Sequence, residues 1–149
     1  MNLPDWSDSD LTAAAPALDS AAASWGVSRA LVYAVASQES RFKANAYRAE
    51  PRINDASYGL MQILFGTARG LGYPGTSDGL YDPAINADLG AQLLAQLLEA
   101  NNETDALSRY NSGYPAASSS AGRAYAASVV VRRQYFDQVF GASPPGPLT

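Results

Sequence analysis

The chain has 149 residues, 47% of them hydrophobic and 16% charged, which suits one compact domain with a buried core and excludes general disorder. It has neither cysteine nor histidine, which excludes disulfides, cysteine nucleophiles, Ser-His triads and the usual zinc sites. The net charge of −4 arises from charges of both signs scattered along the chain, so no nucleic-acid partner is predicted. The common catalytic groups that remain are carboxylates, tyrosine, serine, threonine, arginine and one lysine.

The first half of the chain is predicted to be helical up to about residue 42. An Ala-rich helix is expected over residues 9–24, with a break or kink at Pro16. Ser28 is a typical N-cap for a second helix that ends at about Ser40. The polar stretch that follows predicts a loop, with at most a small two- or three-stranded ribbon within residues 44–57.

The second half of the chain is also predicted to be mainly helical. Further helices are expected over residues 65–71, 83–101, 103–110 and 122–140. Asp82 followed by Pro83 is a strong helix start, because an N-cap residue precedes a proline at the first helical position. We interpret Asp82, Pro83 and Asn86 as capping and packing residues, and Arg132-Arg133 as a solvated helix face.

Glu39 lies on the apolar side of the second predicted helix. At about 100° per residue, it lies roughly 20° from Val32 and roughly 40° from Val35 around the helix axis, so it would turn inward with them. A buried carboxylate without a cation resists ionisation, which is how a glutamate becomes a general acid near neutral pH. The alternative is a residue at the helix end that is rotated just far enough to reach water.

Four short stretches, in this order, resemble the catalytic domain of lytic transglycosylases, which belong to the lysozyme superfamily and are related to goose-type lysozyme. They are Gln38-Glu39-Ser40-Arg41-Phe42, Ser57-Tyr58-Gly59-Leu60-Met61-Gln62-Ile63 with Thr67-Ala68, the run from Leu80 to Gly90, and Tyr110-Asn111-Ser112-Gly113. The resemblance covers roughly residues 25–136. It implies a mainly α, lysozyme-like helical domain with a substrate cleft and at most a small β ribbon.

The resemblance also implies a reaction on peptidoglycan glycan strands. The catalytic glutamate of the family ends a helix in a Glu-Ser-x-Phe pattern, which falls on Glu39, Ser40 and Phe42. The implied activity is cleavage of the β-1,4 bond between N-acetylmuramic acid and N-acetylglucosamine, with formation of 1,6-anhydromuropeptides. The same carboxyl would first protonate the glycosidic oxygen and then accept the proton of the muramoyl 6-hydroxyl. No metal or organic cofactor is implied.

The resemblance further implies a set of substrate-binding residues: Ser57, Tyr58, Gly59, Met61, Gln62, Tyr110, Asn111 and Tyr125. Met61 offers a soft apolar contact and Gln62 an amide, both suited to N-acetyl sugars. Tyr110 resembles the tyrosine whose hydroxyl approaches the catalytic glutamate. Tyr125 matches a family tyrosine less well, because Gly122 stands where the family often has an acidic residue.

Two other functions are compatible with the sequence. A goose-type hydrolytic muramidase shares the fold, but inverting hydrolysis needs a second carboxylate about 6.5–9.5 Å from the acid. Goose-type enzymes carry an aspartate where this chain has Leu64, although Asp55 or Glu50 could approach the cleft. An inactive peptidoglycan-binding or virion structural domain would keep the fold and lose the acid, and the intact Glu39 argues against it.

The predicted organisation is a helical segment at 1–26 packed on the core, a lysozyme-like catalytic domain at 27–140 and a flexible Pro-rich tail at 141–149. No apolar run approaches the roughly 20 residues needed to span a membrane, and the first residues lack the order of a signal peptide. We therefore expect action on the bacterial cell wall, in the periplasm, by a virion-associated enzyme or one delivered by lysis or a dedicated secretion machine. We also expect a monomer.

Overall fold

The computed structural model describes residues 3–112 and 119–141. Its helices are α1 (Asp8–Trp25), α2 (Arg29–Ser40), α3 (Phe65–Gly70), α4 (Pro83–Ala100), α5 (Glu103–Ser112) and α6 (Ser120–Gly141). Its strands are β1 (Tyr47–Glu50), β2 (Asp55–Tyr58) and β3 (Ile63–Leu64), with short 3-10 turns at Pro51–Ile53 and Ser77–Tyr81. Of the predicted Pro-rich tail, only Gly141 lies within the described residues, where it ends α6.

Two helices begin at the capping residues that the sequence predicts. The Ser28 hydroxyl accepts a hydrogen bond from the backbone N–H of Leu31, and so starts α2. The Asp82 carboxylate accepts the N–H groups of the first turn of α4, while Pro83 occupies the first helical position. The predicted capping roles of Asp82 and Pro83 are confirmed.

Of the break or kink predicted at Pro16, the break is wrong, because α1 continues through that residue to Trp25. Ala14 and Leu18, on either side of the proline, are buried where α1 packs against α4. Burial of this apolar face outweighs the local disadvantage of a proline inside the helix.

A three-stranded antiparallel sheet replaces the loop predicted after Phe42. The strand order is β1-β2-β3, with Tyr47 opposite Tyr58 and Ser57 opposite Leu64. The third strand lies beyond the predicted limit of residues 44–57, and it is only two residues long, so no alternating pattern marks it in the sequence. The mainly helical architecture with a small β ribbon is confirmed.

Helix α2 runs through the centre of the hydrophobic core. Val32, Ala34, Val35 and Ala36 are completely buried, and α2 packs against both α1 and α6. No helix within residues 3–112 and 119–141 combines the length and apolar character needed to cross a membrane.

Asn86, near the start of α4, joins three parts of the backbone from a fully buried position. Its Oδ1 accepts the N–H of Met61 at 2.7 Å, and its Nδ2 donates to the carbonyls of Tyr58 at 2.7 Å and Leu80 at 2.8 Å. Gly59 adopts a φ of 78°, and a Cβ there would lie 2.5 Å from Asn86 Nδ2. The packing role predicted for Asn86 is confirmed: its amide holds the segment that follows β2 against α4.

Replacement of Asn86 by alanine is expected to destabilise the protein by about 3 kcal/mol, because one buried N–H and two buried carbonyls lose their partner. Urea unfolding followed by circular dichroism measures the change. Asn101→Ala is the matched control, since the Asn101 amide makes a single partly buried hydrogen bond to Leu97, and it should lose less than about 1 kcal/mol. Equal losses in both variants would contradict the role of Asn86.

Candidate active site

A cleft of about 630 Å³ lies between α2, the β sheet, α5 and α6. The described residues that line it are Gln38, Glu39, Arg48, Glu50, Arg52, Ile53, Ser57, Gln62, Ile63, Leu64, Thr67, Leu93, Leu97, Arg109, Tyr110, Asn111, Ser112 and Tyr125. The polar and charged side chains in this lining suit a hydrophilic ligand with apolar faces, such as a sugar.

Glu39 is a cleft carboxyl whose pKa lies well above its ordinary value. It sits in the last turn of α2, with its side chain only partly open to the cleft. Burial raises the pKa of Glu39 to about 7, and the negative charge of Glu50 adds to that rise, while Tyr125 and Arg48 oppose it. A carboxyl of this kind is partly protonated at neutral pH and can donate a proton there. The inward orientation predicted from helical spacing is therefore confirmed.

Tyr125, on α6, is the direct partner of Glu39. Its hydroxyl donates to Glu39 Oε2 at 2.6 Å, across 86 positions of sequence. Burial, together with the nearby charge of Glu39, raises the pKa of Tyr125 well above its ordinary value, so the phenol keeps its proton. Tyr125 can therefore orient the carboxyl and stabilise its charge without competing as a base.

Tyr110 lines the cleft together with Glu39, but its hydroxyl donates elsewhere. Its hydroxyl donates to the carbonyl of Met61 at 2.7 Å, and a phenol has only one hydrogen to donate. Burial, and to a smaller extent the negative charge of Glu39, raises the pKa of Tyr110 well above its ordinary value. Both side chains line the cleft. Tyr125 donates to the glutamate, whereas the Tyr110 hydrogen bond attaches α5 to the backbone at Met61.

Three other predicted substrate-binding residues line the cleft as expected. Ser57 lies on β2, and Asn111 lies at the end of α5. Gln62 has a φ of 53°, and its Nε2 donates to the carbonyls of Ala46 and Gly59. These two bonds hold the Gln62 amide in place. They use its Nε2, so its oxygen, Oε1, can accept a further hydrogen bond.

Three predicted substrate-binding residues lie outside the cleft lining. Met61 is fully buried, and its sulfur lies so close to Gly90 that a side chain at position 90 would clash with it. Met61 therefore belongs to the core, and its sulfur cannot contact a sugar. Gly59 packs against Asn86 with a φ of 78°, a conformation that glycine adopts easily, and it leaves no room there for a Cβ. Tyr58 is half-buried with its ring near that of Tyr81, at a centroid distance of 5.6 Å.

The two carboxylates considered for hydrolysis differ in their placement. Asp55 is not among the lining residues, and its oxygens accept the backbone N–H groups of Ala56, Phe65 and Gly66, which fixes the start of α3. Glu50 does line the cleft, 3.5 Å from the guanidinium of Arg48. Glu50 is thus the second carboxylate of the site.

The family model described as the transglycosylase SLT domain matches residues 16–129, well over half of the chain. The chain belongs to the transglycosylase SLT domain family. The predicted family membership is therefore confirmed.

A solved structure supports the fold of this SLT domain. It is the X-ray structure of an inactive mutant of the lytic transglycosylase Slt from Pseudomonas aeruginosa, and it matches with a TM-score of 0.70 at 24% sequence identity. The match covers 87% of this chain and 25% of that chain, so the SLT domain described above spans about a quarter of the length of Slt. The lysozyme-like helical fold is confirmed.

A buried arginine outside the family match supports α2, the helix that carries Glu39. Arg132, on α6, is 2% exposed, and its guanidinium donates to Gln38 Oε1 at 3.0 Å and to Ser37 Oγ at 3.2 Å. It also makes two parallel bonds to Asp5, at 3.0 and 2.7 Å. The predicted solvated face is wrong for Arg132, because the charge is buried against a carboxylate that comes from the distant start of the chain.

Asp5 also pairs with the side chain of Arg41, in the turn that follows α2. Arg41 and Phe42 adopt φ angles of 55° and 64°, a left-handed conformation that is unfavourable for residues other than glycine. Asp5 pairs with Arg41 at 2.8 Å, and Trp6 packs edge-on against Phe42 at a centroid distance of 5.3 Å. The segment before α1 therefore holds the strained turn at the end of α2, next to Glu39.

Tyr125→Phe is expected to raise the pKa of Glu39 above its value of about 7, because the ionised carboxylate loses the hydrogen bond that favours it. An isotope-edited NMR titration of the Glu39 carboxyl measures the change. Tyr135→Phe is the matched control on the same helix, since the Tyr135 ring packs on Trp6 away from the cleft. A titration midpoint that is unchanged or lower in Tyr125→Phe would contradict this assignment.

Asp5→Asn is expected to destabilise the SLT domain by about 2 kcal/mol at neutral pH, because the buried guanidinium of Arg132 loses its counter-charge. The Arg132 hydrogen bonds hold the pKa of Asp5 below its ordinary value of 3.8. This stabilisation is therefore present above pH 3.8 and is lost as the pH falls through the lowered pKa.

Urea unfolding at several pH values measures the effect of Asp5→Asn. The wild type and the variant should differ near pH 7 and converge at strongly acidic pH. Asp10→Asn removes a carboxylate from an exposed ion pair with Lys43, so it should change stability little. A difference between wild type and Asp5→Asn that persists unchanged to the acid limit would count against the ionic role of Asp5.

Proposed function

We propose that this SLT domain is a peptidoglycan lytic transglycosylase. It cleaves the β-1,4 bond between N-acetylmuramic acid and N-acetylglucosamine and forms 1,6-anhydromuropeptides. The observation that carries the proposal is the carboxyl of Glu39, largely removed from water in a cleft, hydrogen-bonded to Tyr125, with a pKa raised to about 7. Membership of the transglycosylase family supports the same substrate.

Glu39 acts twice in the proposed reaction. The protonated carboxyl first gives its proton to the glycosidic oxygen, and the bond from that oxygen to C1 of the muramoyl sugar breaks. The resulting carboxylate then accepts the proton of the muramoyl 6-hydroxyl as this oxygen bonds to C1, which closes the anhydro ring and restores the acid. The Tyr125 hydroxyl, 2.6 Å from Glu39 Oε2, stabilises the carboxylate between the two steps.

The placement of the other carboxylates favours this route over inverting hydrolysis. Inversion needs a second carboxylate that is free to activate water on the opposite face of the sugar. Leu64 lines the cleft where goose-type enzymes have an aspartate, and Asp55 is engaged by three backbone N–H groups. Glu50 lines the cleft beside Arg48, and it is the residue through which a hydrolytic muramidase activity would operate.

We further propose the site of action and the binding residues. The substrate is the glycan strand of the bacterial cell wall, on which the chain acts as a monomer. Ser57, Gln62, Tyr110 and Asn111 are proposed to contact the sugars, since all four line the cleft that contains Glu39. The similar Slt structure is of an inactive mutant in which a glutamine replaces a glutamate, which agrees with a glutamate-dependent reaction.

Glu39→Gln is expected to lower the cleavage rate by roughly 10²–10⁴-fold, because the amide can neither donate nor accept the transferred proton. Mass spectrometry of the products released from purified peptidoglycan measures both the rate and the chemistry. The wild type should release anhydromuropeptides, each lighter by one water than the hydrolytic product. Reducible ends throughout would instead establish hydrolysis, and Glu50→Gln would then identify the residue that activates water.

The wild-type rate should also fall as the pH rises through about 7, because only the protonated Glu39 can donate to the leaving oxygen. Glu99→Gln is the control for removal of a glutamate, since Glu99 is exposed on α4 and does not line the cleft. A rate that stays constant into alkaline conditions, or a Glu39→Gln variant that still degrades the wall, would overturn the role of Glu39.

A further inference from the structure

The cleft carries more positive than negative charge, although the chain as a whole is acidic. Arg48, Arg52 and Arg109 line it, and the lining carboxylates are Glu39 and Glu50. Because Glu39 is partly protonated at neutral pH, the negative charge in the cleft is less than two units there. A neutral N-acetyl sugar alone does not need this excess of cations.

Arg109, on α5, is the more buried of the two cleft arginines that lack a carboxylate partner in the described part of the chain. Its Nε is buried without a hydrogen bond, and no ion pair or side-chain hydrogen bond of Arg109 is found within residues 3–112 and 119–141. The stretches 113–118 and 142–149 contain no aspartate or glutamate, so they offer no side-chain carboxylate either. A half-buried guanidinium that stays charged and has five donors is thus left with spare donors beside the catalytic cleft.

Most arginines in the described part of the chain, unlike Arg109, are paired with a carboxylate. In the described part of the chain, five arginines lie within 4 Å of a carboxylate: Arg29, Arg41, Arg48, Arg132 and Arg133. Arg48 is paired with Glu50 at 3.5 Å. Arg52, in the turn between β1 and β2, is exposed at the cleft and adds a second positive charge that no described carboxylate pairs with.

We propose that Arg109 binds a carboxylate that the glycan strand carries, and that Arg52 adds long-range attraction for it. This inference rests on the proposed function and names the feature of the substrate that the cleft selects. Guanidinium and carboxylate match in charge and in planar geometry, and a bidentate pair in a partly dehydrated cleft is stronger than an exposed one. The carboxylate belongs either to the stem peptide or to the lactyl group of a muramoyl sugar from which the peptide has been removed.

Arg109→Gln tests the proposal on soluble glycan strands prepared in four forms. Two forms carry uncross-linked stem peptides, with their carboxylates free or converted to neutral amides. Two forms have the peptides removed by an amidase, with the lactyl carboxylates free or converted to amides. The steady-state parameters come from the rate of anhydro-end formation, measured by chromatography with mass spectrometry.

The wild type should show a KM roughly tenfold lower for a carboxylate form than for its amidated counterpart, and Arg109→Gln should abolish that difference with little change in kcat. A difference confined to the peptide-bearing pair places the carboxylate on the stem peptide. A difference confined to the amidase-treated pair places it on the lactyl group. An equal loss of activity by Arg109→Gln on free and amidated strands would overturn the proposal.

Two variants separate charge recognition from general damage. Arg109→Lys keeps the charge but not the planar pair of donors, so it should retain part of the preference for carboxylate strands. Arg69→Gln removes an exposed arginine that does not line the cleft, so it should retain the full preference. If Arg69→Gln lost the preference as completely as Arg109→Gln, the effect would reflect the overall charge and the assignment to Arg109 would be wrong.

A binding measurement makes the result independent of turnover. In the Glu39→Gln background, calorimetry with free and amidated strands should give the same roughly tenfold preference, and the further change Arg109→Gln should remove it. Absence of anhydro products from the wild type would reject the proposed function, whereas anhydro products without a carboxylate preference would reject the role of Arg109 alone.

Discussion

The hydrogen bonds of the buried Arg132 guanidinium connect the two helices on which the site depends. Arg132 lies on α6 and donates to Gln38 and Ser37 on α2, the residues just before Glu39. Tyr125 lies seven residues earlier on α6, two turns away along nearly the same face of the helix. The packing that satisfies Arg132 therefore also brings the Tyr125 hydroxyl to Glu39, and a displacement of α6 along α2 would break both contacts.

The parts of the fold that could be predicted are those that local chemistry determines. Ser28 and the Asp82-Pro83 pair mark helix starts because capping involves only the next few residues. The inward position of Glu39 followed from its spacing to Val32 and Val35, because helical periodicity alone places the three on one side. The short motifs indicated the family for a related reason, since each of them is a contiguous stretch.

The parts that could not be predicted depend on contacts between distant positions. Tyr125 and Tyr110 are both plausible partners for Glu39 in the sequence, and only the packing of α5 and α6 determines which hydroxyl reaches it. Arg132 looked solvated because its partner Asp5 is 127 positions away. Met61 was predicted to bind ligand, but its side chain packs into the core, in the space left by the missing side chain of Gly90. No pattern within a single helix or strand contains this information.

The raised pKa of Glu39 links the acidity of the site to the folding equilibrium. An unfolded chain would release the Glu39 proton near pH 4.5, whereas the folded protein holds it until about pH 7. Within that interval the folded state holds the Glu39 proton more tightly than the unfolded state, so the contribution of Glu39 to stability declines as the pH rises and is lowest above pH 7. The full shift corresponds to at most about 3 kcal/mol, and the part of the side chain that is open to the cleft reduces it. The core around α2 and the Arg132 contacts must offset this penalty, which is greatest in the alkaline range where the proposed acid is also deprotonated.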